Sequence, residues 1–131
     1  YRQQPMIATM KYLNILLSAM MLLFIAVQYN DPDGLLWGLI YLVPAAWAGL
    51  AAFQLDRVKS GRPFAVLVAS VLGTLALTVY YWPTTPEFWR KDIWWETETA
   101  REGMGMMISF VVVLIAAGTI WRARKKASIS S

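Results

Sequence analysis

Four amide or carboxylate side chains, Gln28, Asn30, Asp31 and Asp33, crowd into the stretch QYNDPDG that ends at Gly34. Carboxylates and amide carbonyls at this density are what a hard divalent cation takes, since calcium accepts roughly six to eight oxygens. A second acidic set, Glu98 and Glu102, lies far along the chain with Arg101 between them. At about 100° per residue, Glu98, Arg101, Glu102, Gly105 and Ser109 share one sector of a helix. Gly105 and Ser109 are residues that a helix packs inward. The spacing therefore predicts that Glu98, Arg101 and Glu102 face inward too, where the two acidic sets can meet. Trp37 and Tyr41 follow the first set at i, i+4 and add an aromatic wall.

Several chemistries fit this constellation. Arg101 can bridge Asp31 or Asp33, because its planar fork accepts a carboxylate in two parallel hydrogen bonds. Alternatively, Asn30 with Asp31, Asp33, Glu98 and Glu102 can hold Ca2+, the four acids being the metal ligands. Arg101 in the same sector opposes a cation. A small polar or headgroup ligand held by the acids, Trp37 and Tyr41 is a third reading. The plain structural reading of the first stretch is also complete: Asp31 caps a helix, and Pro32-Asp33-Gly34 is turn chemistry. Met20, Met21, Met104, Met106 and Met107 suggest soft Cu(I) ligation, but methionine is ordinary filler in apolar helices. Glu98 and Glu102 as an acid–base pair would need separated pKa values and a cleft, and the sequence shows neither.

The elements that must position these residues are helices in lipid. The chain has 131 residues, 58% hydrophobic and 15% charged. Its apolar residues form four blocks, 12–28, 35–53, 64–81 and 103–121, each near the roughly 17–25 residues that cross a hydrocarbon core. The expected fold is an all-α integral membrane protein, a four-transmembrane-helix bundle forming one membrane domain over 1–131. The first block is too long for a signal-peptide core and VQYNDPD offers no small-x-small cleavage site, so it is read as a helix. Between the third and fourth blocks, Thr85 before Pro86 is a helix-start signal. The segment 86–95 is expected to be a short interfacial helix, with Trp82, Trp89, Trp94 and Trp95 as anchors at headgroup depth.

Polar rows mark the spans. Asn14 and Ser18 lie on one face with Gln28, and Ser70, Thr74 and Thr78 form an i, i+4 row; both read as hydrogen bonds between packed helices. Ala45, Ala48, Gly49 and Ala52 permit close approach of a neighbour. No Asp, Glu, Lys or Arg lies deep in a span, which argues against a proton relay.

Charge sets the expected orientation. With four spans, nine Lys and Arg against the single acid Asp56 fall on the side of the termini, and three against seven acids fall on the other. Cytoplasmic loops carry the basic excess, so both termini are expected in the cytoplasm and the acidic, Trp-rich loop outside it. The basic run RARKK then reads as a topology signal and a contact for anionic lipid. Nucleic-acid binding is not expected, because aromatic and basic residues do not interleave. The absence of cysteine and histidine removes the usual ligands of zinc, iron–sulfur clusters and haem, and the usual general base.

QxNDPD followed by Trp37, Tyr41 and Pro44, with ExxRExxG from Glu98 to Gly105, resembles the transmembrane protein 220 family, small four-helix membrane proteins of bacteria and animals. The resemblance implies the four-helix fold and implies that Gln28, Asn30, Asp31, Asp33, Arg101 and Glu102 belong together. It implies no activity. The expectation is a non-enzymatic accessory subunit of a larger membrane complex, in contact with other membrane-protein subunits and the bilayer, in a bacterial inner membrane. The competing reading is a protein that binds or transports a divalent cation or small ligand at the acidic rim.

Overall fold

The computed structural model describes residues 4–28, 34–84, 86–87, 89–90 and 98–130, and among them there is no strand. Five helices have defined bounds: α1 Gln4–Ala26, α2 Gly34–Phe53, α3 Leu55–Val58, α4 Gly61–Tyr80 and α5 Glu98–Ser130. Four of them contain stretches long and apolar enough to cross a membrane: Thr9–Ala26, Gly34–Phe53, Gly61–Tyr80 and Ala100–Lys126. The fold is the expected all-α membrane bundle. The short helix with defined bounds, α3, lies between the second and third spans. Of the expected interfacial segment, only 86–87 and 89–90 are described. There the Arg90 N–H donates to the Glu87 carbonyl at 3.0 Å, with Glu87 at φ 55°.

The helices outrun the apolar blocks. Helix α1 begins at Gln4 rather than residue 12, α4 at Gly61 rather than 64, and α5 covers Glu98–Ser130 rather than 103–121. At 1.5 Å per residue the 33 residues of α5 reach about 50 Å, well beyond a hydrocarbon core of about 30 Å. An apolar block measures depth in lipid; the helix itself continues wherever polar side chains can meet water. Helix α1 instead stops before residue 28. Val27 and Gln28 close it in a turn, their N–H groups donating to Leu23 and Ile25 carbonyls at 3.1 Å.

The connection after α2 contains α3. Gln54 alone separates the two helices, at φ −130° and ψ 36°, and its N–H still bonds to the Leu50 carbonyl at 2.8 Å. Val58 of α3 is buried, which folds this corner onto the end of the bundle.

Helices α1 and α2 form a close antiparallel hairpin. Ser18 Oγ donates to the Ala45 carbonyl at 2.8 Å in the middle of the pair. Toward one end the Lys11 ammonium lies 5.7 Å from the Phe53 ring centre. At the other, a Cβ on Gly34 would overlap the Gln28 carbonyl oxygen, so glycine is needed where α2 starts beside the end of α1. The small residues expected at a helix contact are there: Ala45, Ala48 and Ala52 are buried, and Gly49 faces Ser18. Helix α5 packs against α2 and α4 and, less extensively, α1. Met21 and Met106 are fully buried in the core with Trp37, Tyr41, Ala45, Ala48 and Val112.

The polar rows are used inside the bundle, as a bilayer without internal water requires. Asn14 Nδ2 donates to the Met10 carbonyl at 2.8 Å and to Thr119 Oγ1 of α5 at 2.9 Å. Trp47 Nε1 donates to Ser70 Oγ at 2.9 Å, joining α2 to α4. Thr74 returns its hydroxyl to the Ser70 carbonyl of its own helix at 2.8 Å, and Thr78 reaches the Met106 carbonyl of α5 at 3.3 Å.

Candidate functional site

All spans contribute to the end of the bundle where α1 finishes and α2 and α5 begin. Trp37, one turn into α2, is buried and points its indole N–H at α5, where Glu102 Oε2 accepts it at 3.0 Å. Glu102 is half-buried one turn into α5, and a carboxylate in a first turn also gains from the helix dipole. A hydrogen bond from a neutral donor to a carboxylate is stronger than a neutral pair. Trp37 and Glu102 thereby tie two spans together at the membrane boundary.

An aromatic cluster supports this bond. The Trp37 ring centre lies 5.7 Å from that of Tyr41 and 5.1 Å from that of Tyr81, at the end of α4. Tyr41 meets Phe24 of α1 edge-on at 5.6 Å. Offset and edge-to-face pairs at these separations are favoured by the ring quadrupoles. One helix must come very close for this to fit. A Cβ on Gly105 would overlap the Tyr41 hydroxyl, and one on Gly103 would lie 2.5 Å from Pro83 Cδ and 2.6 Å from the Tyr81 carbonyl oxygen. Glycine at both positions lets α5 rest its backbone on the aromatic cluster.

The expected constellation is placed as follows. Trp37, Tyr41 and Glu102 come together, and Gln28 is half-buried beside Gly34 at the same end. Gly105 and Ser109 are buried, as the sector argument required. Arg101 is exposed rather than facing inward as its helical sector suggested, since it lies about 100° round the helix from Glu102. Neither Arg101 nor Glu102 is without further partners. Asn30, Asp31 and Asp33 lie outside the described residues, as do Trp94, Trp95 and the Glu98 side chain. Trp82 and Trp89 are exposed. Of the four acids expected as calcium ligands only Glu102 has a described side chain, and among the described residues no three acids converge.

Sequence reasoning missed Tyr81, Pro83 and Gly103. The signal was present in the aromatic run Tyr80-Tyr81-Trp82 at the end of the third block, but nothing in the sequence says which helix will face it.

The model of the family described as transmembrane family 220, helix, matches residues 20–118, which include Gln28, the aromatic wall, Arg101, Glu102 and both glycines. The chain belongs to transmembrane family 220. No curated protein and no solved structure matches it. Membership in transmembrane family 220 agrees with the resemblance carried by QxNDPD and ExxRExxG, and with an integral membrane protein whose helices contact lipid.

Proposed function

We propose that this chain is a non-enzymatic structural subunit of a larger membrane assembly, acting as one membrane domain. The outer face of α4 carries this reading. Leu67, Thr74 and Thr78 are its buried residues, whereas Ala65, Ala69, Gly73 and Ala76 are exposed. A Cβ on Gly73 would meet nothing within 4 Å. Small residues at i, i+4 intervals let a second transmembrane helix bring its backbone close, which is where association in lipid finds its packing energy. Helix α1 differs, since Leu16, Leu22 and Leu23 on its outer face suit acyl chains. In this reading the Trp37–Glu102 bond is a clamp that keeps the bundle rigid, with Arg101 bridging Asp31 or Asp33 beside it.

Both termini face the cytoplasm in this proposal and the acidic rim faces the periplasm of a bacterial inner membrane. The basic excess on the termini side supports this. The test is extraction from native membranes in mild detergent, followed by mass spectrometry of the intact particle. Reproducible stoichiometric partners support the subunit role; a lone monomer or homo-oligomer contradicts it.

The half-buried Glu102 carboxylate also favours a second reading, a rim site for a divalent cation or small ligand. It requires Ca2+ to raise the melting temperature, and Asp31→Asn or Glu102→Gln to remove that rise while leaving the bundle folded. Equal melting with and without Ca2+ in the native chain would rule it out.

A further inference from the structure

At the opposite end of the bundle, the corner formed by α3, the start of α4 and the end of α5 holds a fixed arginine. The Arg124 guanidinium carbon sits 4.4 Å from the Phe64 ring centre, and its Nη1 donates to the Lys59 carbonyl at 3.3 Å. Phe64 is itself packed against Trp121, one turn before Arg124, with ring centres 6.2 Å apart. Arg124 is thus laid on an aromatic shelf, between Lys59 and the first turn of α4, where Arg62 stands. Arg57 of α3 and Lys125 of α5 are exposed at the same end of the bundle. Asp56 is the single acidic side chain in the segments that reach this end, and it is paired with Lys59 at 3.1 Å. Among the described residues no carboxylate pairs with Arg124, and four of its five N–H donors are left after the bond to Lys59.

From this geometry we infer that the corner is a binding surface for the headgroup of an anionic phospholipid, with Arg124 as the phosphate ligand and Arg62 beside it. Like charges gathered in one place repel, so the arrangement is stabilised by an anion. The exposed Trp121 marks the depth of the interface, where phosphates lie. A guanidinium already held by its ring and a backbone carbonyl loses less freedom on meeting a phosphate than a solvated side chain does. The occupant is a lipid rather than a soluble ion because the outer side of α5 above the shelf exposes Val111 and Leu114, which can receive acyl chains.

The test uses the full chain in nanodiscs of phosphatidylcholine and phosphatidylglycerol, with the annular lipids that stay on the protein identified by native mass spectrometry. The native chain is expected to retain phosphatidylglycerol preferentially. Arg124→Gln and Arg62→Gln should each weaken that preference about fivefold, from about 1 kcal/mol per interfacial charge. Arg90→Gln, which removes one charge from the opposite end, should leave it unchanged. Phe64→Leu keeps every charge but removes the shelf, and should weaken retention without disturbing the fold. The inference is overturned if Arg90→Gln lowers the preference as much as Arg124→Gln, since that would be a net-charge effect. It is equally overturned if Arg62→Gln and Phe64→Leu both leave the preference intact, or if millimolar inorganic phosphate displaces the lipid.

Discussion

At the scale of single residues, the rim depends on a donor, an acceptor and a missing methyl group. Replacing Trp37 by Phe keeps the ring packing but leaves Glu102 without its indole donor. The expected loss is about 1.5–3 kcal/mol, the usual range for a hydrogen bond to a charged group, read as a lower unfolding midpoint in detergent. Glu102→Gln should cost less than Glu102→Leu, because an amide oxygen still accepts the indole N–H; equal costs would show that the bond contributes nothing. Gly105→Ala drives a methyl into the Tyr41 hydroxyl, and overpacking of this kind costs about 1–3 kcal/mol. Tyr41→Phe in the same chain should recover part of that loss, though not all, since the added Cβ remains 3.2 Å from the ring carbon that carried the hydroxyl. If the double variant is no more stable than Gly105→Ala, the close approach is wrongly placed. Trp37, Tyr41 and Glu102 were legible from spacing alone. Tyr81 and Gly103 were not, because a side chain's partner on a distant helix leaves no mark in its own neighbourhood of sequence.

At the scale of helices, apolar blocks located every span but not its ends. The second block agreed with α2 almost residue for residue, because QYNDPDG and Gln54 bound it closely. Helix α5 extends far past its apolar block because Glu98 to Glu102 and Arg122 to Lys126 tolerate water while keeping helical geometry. Helix α3 was hidden in QLDRVKSGRP, whose turn residues masked Val58 as a buried contact. Of the polar rows, Asn14, Ser18, Ser70 and Thr78 bond to neighbouring helices, whereas Thr74 bonds within its own. Asn14 also has Oδ1 buried with no partner among the described residues. One good bond offset by one orphaned acceptor makes Asn14 a weak contributor. Asn14→Leu is therefore expected to shift stability by under about 1 kcal/mol, near the mean for polar contacts between membrane helices. A loss of several kcal/mol on thermal or denaturant unfolding would show that Asn14 has a partner beyond Met10 and Thr119.

At the scale of the whole molecule, the two ends differ in chemistry, a basic aromatic corner at one and an aromatic cluster bonded to the Glu102 carboxylate at the other. The chain has no cysteine, so single cysteines report orientation cleanly. With both termini cytoplasmic, as proposed, Thr84→Cys should react with a membrane-impermeant maleimide added outside intact cells or vesicles of native orientation, and Ser60→Cys only after the membrane is opened. The reverse pattern would invert the topology. Membership of the family and the four-helix architecture follow from pattern, because lipid imposes length and apolarity on any span. The proposed partners leave no such pattern, since lipid-facing and partner-facing surfaces are both apolar; the row of exposed small residues on α4 is the feature that favours a partner there. The most direct measurement is site-specific photocrosslinking in native membranes, with the reactive group at Ala69 on the outer face of α4 or at Leu23 on the outer face of α1. Discrete protein adducts of one mass from Ala69, with none from Leu23, are the expected result. Lipid-only products from both positions would contradict the proposed role of this chain as a structural subunit.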